Sequence, residues 1–519
     1  MAYKLPFDCK KILATKNPAR PGAVCAEAMS VHPSECANRG WPLVSTDISK
    51  AFLQGVTYEE LSRITGEPLR DVCFYLPPTS IPVLRQLPGY SDFNPAREVL
   101  RSLKPGTGSV DAPRAFHLKL AQVTRQELQL VPTRTDNELL VLFDKQKGRP
   151  VAVLCIHVDD LKITGDPDVI QKILTCLERT FGKLVAQWHE FTNCGIRHLQ
   201  DKTTLAVTLD QDEYIKALKL IYHPFVTRDK TRQSLVVPQD LFELFRSSRG
   251  AVAYCLLTRA DVSIYVVALQ RCQENNTTVA HIRDLNTIIR RLQSCPQKLT
   301  YGKLALNTTI LCVTDAAFKK EDDTGHALKG TLLLRIPAGK LAATSCHVID
   351  FQTKRIRFVT RSTFAAELFS VCDACDHSIL LRQIAHEIMH GPLSGWDARK
   401  LREGKLQSSV LIDVVIDALS VYAAITATHI KIPSEKSLLS HVQYVRELLD
   451  HRTVHSIYWQ DTRDLVADAL TKGSCPRDNL CACMNGSLGM SHEVKQWKPL
   501  LASTSEDAPE AVTLPEQID

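Results

Sequence analysis

The stretch Val151–Gly165, VAVLCIHVDDLKITG, decides how the chain is read. Val151 to Ile156 form an unbroken apolar run, His157 and Val158 end it, and the acidic pair Asp159–Asp160 is followed by Leu161, Ile163 and Gly165. Two apolar runs on either side of a polar break predict a hairpin with acids at its turn. Toward the N-terminus, Trp41–Gly55, WPLVSTDISKAFLQG, repeats the theme: a short apolar strand runs into Asp47 and is followed by Ala51, Phe52 and Leu53. Toward the C-terminus, Val169, Ile170, Ile173, Leu174, Leu177 and Phe181 recur at spacings of three and four, which predicts an amphipathic helix packed on a sheet.

Farther out the pattern changes. Residues 1–40 carry Asn17, Pro18, Pro21, Gly22 and Pro33 with no convincing helical or alternating period, and read as an incomplete or loosely packed lead-in. Residues 228–305 read mainly as helices: Leu285, Ile288, Ile289 and Leu292 mark one apolar face, and Arg283, Arg290 and Arg291 between them can snorkel or touch phosphate. From TTILCVTDAAF onward, ILCV, TLLLRI, RIRFV and VLIDVVI are strand-like and Thr363–Ile388 is a long helix, so residues 306–475 read as a separate α/β domain. Residues 476–519 read as a tail. Cys475, Cys481, Cys483 and His492 have gaps that fit no short-spaced zinc motif, and the acidic, Pro-containing end from Ser503 is expected to be disordered.

A length of 519 residues suits two to four domains, and 44% hydrophobic with 23% charged residues excludes a wholly disordered or fibrous chain. No run of 18 apolar residues is present, which excludes a transmembrane helix, and the start MAYKLPFDCKK has no apolar stretch to serve as a secretory signal. An intracellular protein is expected. The 17 cysteines, among them Cys155, Cys255, Cys312 and Cys372 in apolar segments, then read as small buried hydrophobes. With 63 Lys+Arg against 57 Asp+Glu the net charge is +6, which permits a nucleic-acid partner without demanding one.

Asp47 and the Asp159/Asp160 pair end apolar strands, and so sit at a sheet edge near buried surface. Crowded carboxylates repel unless a cation neutralises them, and hard oxygen ligands suit Mg²⁺. An isolated Asp-Asp can equally be a solvated turn. The later domain repeats the arrangement with Asp315, Glu367, Asp417 and Asp468, each embedded in apolar sequence. One such acid is usually a cap or a satisfied polar group, whereas four in one domain point to a shared cation site of the kind used in two-metal phosphoryl transfer, with ions about 3.5–4 Å apart.

Eight blocks in a fixed order now carry a resemblance: STDISKAFLQG, LKPGTGSVDAPRAF, HVDD, FRSSRGAVAYCLLTRADVSIYVVALQR, TDAAF, STFAAEL, VIDALS and DLVADALTKG. Over roughly residues 41–473 the chain resembles the reverse transcriptase and RNase H part of a copia-type LTR retrotransposon polyprotein. The resemblance implies an α+β fold: a right-hand polymerase palm and fingers at 41–227, a helical thumb or connection at 228–305, and an RNase H-like α/β domain at 306–475. It implies that Asp47 and Asp159 hold the polymerase ions and that Asp160 is the second acid of the signature pair. Phe52 matches the aromatic under the incoming sugar, and Arg114 lies in the nucleotide-side block. In the RNase H part it implies that Asp315 bridges both ions, Asp468 completes the ion that activates water, and Glu367 and Asp417 hold the leaving-group ion. Two ions of Mg²⁺, or Mn²⁺, serve each site. RNA template, DNA primer, RNA–DNA hybrid and dNTPs are the implied partners, with no membrane, in a cytoplasmic virus-like particle or the nucleus.

Some positions depart from the family. His157 replaces a Tyr, Asp111 replaces a Gln and so puts an extra anion near a triphosphate, and Ser437, between Lys436 and His441, stands where a His is expected, so His441 is assigned no role. The basic fingers segment expected well before the first palm aspartate is not found, and the 40-residue lead-in reads as a truncated one. The expectation is therefore an RNA-directed DNA polymerase joined to a ribonuclease H, with the polymerase the weaker activity. The alternatives are a remnant that at most binds nucleic acid, or a chain in which only the RNase H domain works.

Overall fold

The computed structural model describes residues 26–497 apart from 227–229, 306, 319–325, 340, 342–343, 358 and 430–431. Asn17, Pro18, Pro21 and Gly22 of the lead-in, and the end from Ser503, lie outside the described residues. The fold is mixed α and β, and no described helix is long and apolar enough to cross a membrane.

The VAVLCIH run forms strand Arg149–His157, paired antiparallel with Asp160–Gly165, so that Val158 and Asp159 make a two-residue turn. Val158 takes φ 62°, a backbone region that strains a β-branched residue. Strand Leu43–Asp47, earlier in the chain by about 100 residues, pairs with the other edge of Asp160–Gly165. Outer strands Val131–Pro132, Leu139–Asp144 and Gln187–Trp188 complete a six-stranded sheet. Helix Pro167–Phe181 buries Ile170, Ile173, Leu174, Leu177 and Phe181 in this sheet's core.

A four-stranded antiparallel sheet follows, in which Leu299–Tyr301 returns to pair with Val207–Asp210. Helices Gln239–Tyr254, Ser263–Gln270 and Val279–Ser294 form a bundle around Leu241, Phe245, Ile282, Leu285 and Ile289.

The last sheet has six strands in the order His347–Arg355, Leu328–Pro337, Thr308–Ala317, Leu411–Ile416, Ser456–Gln460 and Val494–Trp497. The first three are antiparallel neighbours; Thr308–Ala317, Leu411–Ile416 and Ser456–Gln460 are parallel. Helix Thr363–His390 lies on the sheet, its N-terminus capped by the Ser362 hydroxyl, which accepts from the Ala365 N–H at 3.1 Å.

Three readings need correction. The lead-in is not loose up to Trp41, because Ala26–Arg39 is a helix that buries polar residues beside apolar ones: His32, Ser34 and Glu35 are fully enclosed along with Val31, Cys36 and Ala37. Part of the expected tail belongs to the last domain, since Asp478–Met484 is a helix and Val494–Trp497 extends the sheet. Within it Cys483 is buried and His492 bonds Asp464 at 2.9 Å. The RIRFV run contributes only Arg355 to a strand. The strand is His347–Arg355, whose buried stretch HVI faces the core while Gln352 and Lys354 turn outward to a cleft.

Candidate metal centres

Two sets of carboxylates stand out, one on each six-stranded sheet. On the first, register places Asp47 directly opposite Asp160, so their side chains leave the same face of the sheet. The Ile48 N–H donates to the Asp159 carbonyl at 3.4 Å, which ties the turn to the end of the Asp47 strand. Burial and then Asp159 hold the Asp47 carboxyl above the ordinary value. Burial, Asp159 and Asp47 do the same to Asp160. Anions crowded in this way disfavour one another's charged form, which is the condition a cation relieves.

Phe52 lies just beyond, in the short turn of helix Ala51–Leu53, edge-on to Phe116 at 6.5 Å between ring centres. Phe116 comes from helix Ala112–Ala121, and Gly55 lets that helix approach: a Cβ there would meet the Ala115 carbonyl carbon and the Phe116 nitrogen at 2.8 Å. Arg114 is on the same helix, and its Nη1 donates to both carboxylate oxygens of Glu67 at 2.8 and 3.0 Å. Its guanidinium is thus engaged by a carboxylate. Asp111 is neutralised by Arg70, which offsets the extra anion at that position.

On the second sheet Asp315, Asp417 and Asp468 each bring a ligand oxygen within 4.8 Å of the others, the only such set of three among the described residues. Asp315 lies on the central strand, Asp417 follows the parallel neighbour Leu411–Ile416, and Asp468 opens the short helix Asp468–Thr471. Glu367 comes from the first turns of the long helix, is buried, and accepts from the Ala316 N–H at 3.1 Å. It stands beside the set without being one of the three.

The close approach of these elements depends on Gly330, which pairs with Asp315 across the sheet. A Cβ at Gly330 would lie 2.7 Å from Thr471 Cγ2 and 2.8 Å from Leu470 Cβ. Neighbouring groups then orient the oxygens. The Thr471 hydroxyl donates to Asp315, and the Thr462 hydroxyl donates to Asp417 at 2.9 Å. Lys472 places its ammonium 2.6 Å from Asp468 and 3.5 Å from Asp315.

Every acid of this set is held above its ordinary value, with burial the largest cause. Asp468 adds to it at Asp315 and Asp315 adds to it at Asp417, while burial first, then Asp315 and Asp417, push Glu367 up to about 9. Burial opposes the Lys472 charge, yet Asp315 and Asp468 outweigh it and hold the ammonium above its usual range. A buried cluster of oxygen donors already drawing in one cation fits a hard divalent ion such as Mg²⁺.

Sequence reading singled out the acids and overlooked Thr471, Lys472 and Gly330. Thr471 and Lys472 could have been found, since they follow Asp468 by three and four positions on one helix face. Gly330 gives no such signal, because only the fold brings Leu470 and Thr471 against it.

No family model matches the chain. Over 348 residues, 65% of the chain, it is 23% identical to the Retrovirus-related Pol polyprotein from transposon RE1 of Arabidopsis thaliana. Over 369 residues, 69% of the chain, it is 25% identical to the Retrovirus-related Pol polyprotein from transposon RE2 of the same plant. The matched parts are 21% and 23% of those polyproteins, so the chain spans about a fifth of the length of the relatives it matches. These two matches, taken with the eight blocks in order, make the chain a relative of the copia-type retrotransposon Pol polyproteins.

Proposed function

We propose that the chain cleaves the RNA strand of RNA–DNA hybrids at the Asp315 centre and extends a DNA primer on an RNA template at the Asp47 centre. The observation that carries the proposal is the convergence within 4.8 Å of Asp315 on the central strand, Asp417 just past the parallel neighbour and Asp468 at the start of a short helix. The strand order around them, three antiparallel strands continued by two parallel ones, supports an RNase H-like domain. The polymerase half rests on a separate observation, the direct pairing of Asp47 with Asp160 beside the strained turn that carries Asp159.

Asp315, Asp417 and Asp468, with Glu367 beside them, would hold the ions of the nuclease centre; Asp47 and Asp159 would hold those of the polymerase centre, with Asp160 the second acid of the pair. Bound Mg²⁺ or Mn²⁺ supplies Lewis-acid stabilisation of a phosphoryl oxygen and an activated water or hydroxyl. The chain's own part is positioning. The Thr471 and Thr462 hydroxyls fix the Asp315 and Asp417 oxygens, the Ala316 N–H fixes Glu367, and Lys472 supplies positive charge at the cluster. In the other centre Phe52, braced by Phe116, would form the floor under the incoming dNTP sugar. Arg114 would have to leave Glu67 to touch a phosphate. Such a protein works where element RNA is copied, in the cytoplasm or the nucleus.

The test is a pair of assays with Mg²⁺ on the full chain: cleavage of a labelled RNA–DNA hybrid, and extension of oligo(dT) on poly(rA). Glu367→Gln should reduce cleavage at least 100-fold and leave extension intact; Asp159→Asn should do the reverse. Cleavage that survives Glu367→Gln, or that falls with Asp159→Asn, would refute two separate centres.

A further inference from the structure

A cleft of about 860 Å³ opens along the Glu367 helix, with Lys329, Lys354, Arg355 and Arg357 on one wall and Phe369 and Tyr444 on the other. Its charge is unusual for a surface with no partner. Lys329 and Lys354 sit directly opposite each other on adjacent strands, where like charges destabilise a sheet. Burial first, then Lys354 and Arg357, push the Lys329 ammonium down to about 8.

The two carboxylates in the cleft relieve this crowding at Lys329 alone. Asp373 is engaged by Lys329, and Asp376 accepts from the Tyr444 hydroxyl. Lys354 and Arg357 make no ion pair or hydrogen bond among the described residues. The repelling pair Lys329 and Lys354 on adjacent strands, with Arg357 two residues past the strand end, is compensated when an anion lies between them.

The position of the cleft selects that anion. Lys329 precedes Gly330 on the strand and so turns to the face opposite Asp315, toward the helix that supplies Glu367, and Phe369 is two residues beyond Glu367 on that helix. From Phe369 to Leu380 the helix advances about 16 Å at 1.5 Å per residue, which matches roughly five steps of a duplex at 3.4 Å per strand. We propose that this cleft binds the sugar–phosphate backbone of the nucleic acid held at the Asp315 centre, with Lys354 and Arg357 as phosphate contacts. The proposal rests on the hybrid-cleaving function for its choice of nucleic acid.

The experiment measures binding of a fluorescein-labelled RNA–DNA hybrid to the full chain in EDTA, between 50 and 200 mM KCl. It compares the parent, Lys354→Gln/Arg357→Gln, and a control, Lys400→Gln/Lys405→Gln, that removes two charges from the helix Gly395–Arg402 and the loop after it. Both target residues are exposed, so the double variant should retain the parent's melting temperature. The expected result is a salt-dependence slope lower by about 1.4–1.8 and affinity at 100 mM KCl at least tenfold weaker, with the control unchanged. A target variant with the parent's slope overturns the cleft while leaving the hybrid-cleaving function standing. A lower slope in a chain that cleaves nothing keeps the cleft and refutes that function. Preference for a polyglutamate competitor over the hybrid would make the cleft a protein-docking surface and overturn the proposal.

Discussion

Glu367 keeps its proton where a solvent-exposed glutamate has lost it, because burial disfavours its charge and Asp315 and Asp417 add to the penalty. A carboxyl whose pKa rises on folding binds protons more tightly in the native state. Its stabilising contribution is complete below the ordinary value of 4.5 and is lost as pH rises through about 9. The upward shifts at Asp315, Asp417 and Asp468 act in the same direction. The metal-free chain should therefore melt at progressively lower temperature between pH 5 and pH 9. Millimolar Mg²⁺ should flatten the decline, and Glu367→Gln should remove much of it. Calorimetry across that range checks this, and a flat metal-free profile would contradict it. Lys472 limits the size of the effect, since its ammonium already offsets part of the repulsion at Asp468 and Asp315.

At the scale of elements, the short helix Asp468–Thr471 reaches the central strand only because Gly330 has no side chain. Gly330→Ala should push that helix outward by several tenths of an ångström. It should cost about 1–3 kcal/mol of stability through overpacking and lower hybrid cleavage by at least tenfold, while primer extension is unchanged. Paired urea titrations and rate measurements read both effects. The same elements show what a sequence discloses. VAVLCIH and VLIDVVI are legible as strands because an unbroken apolar run has nowhere to go but a sheet interior, and the 170–181 helix because its apolar residues share one face. Helix Ala26–Arg39 was illegible for the opposite reason. Its buried residues mix Val31, Cys36 and Ala37 with the polar His32, Ser34 and Glu35, and the polar ones are satisfied by Val153, His347 and Arg335, each more than 100 positions away, as well as by the local Arg39. The acids could be picked out as strand-ending or apolar-embedded residues. Their mutual placement could not, since it depends on strand register and on Gly330.

Across the whole molecule, that early helix fastens the first sheet to the last. Glu35 is fully buried between Arg39 and Arg335, at 2.7 Å from each; burial alone would raise its carboxyl, and the two arginines instead hold it below the ordinary value. The Ser34 hydroxyl and His347 Nδ1 are 2.8 Å apart, and the Leu304 N–H donates to Asn38 at 2.9 Å. Removing one partner of a buried pair is costly, so Arg335→Met should lose about 3–5 kcal/mol. Hydrogen exchange should then speed up together in Leu43–Asp47 and Thr308–Ala317, whereas loss confined to the later strand would mean that the sheets unfold independently. The arrangement also sets a timetable for synthesis. Ser34 and Arg335 are 301 positions apart, and at about 5–20 residues per second the ribosome needs roughly 15–60 s to deliver the second after the first. During that interval the nascent helix carries Glu35 with Arg39 as its one counter-charge, and Ser34 without its histidine partner. The N-terminal half must therefore leave the ribosome unfinished and wait, open to chaperones, until the last sheet emerges to close over it.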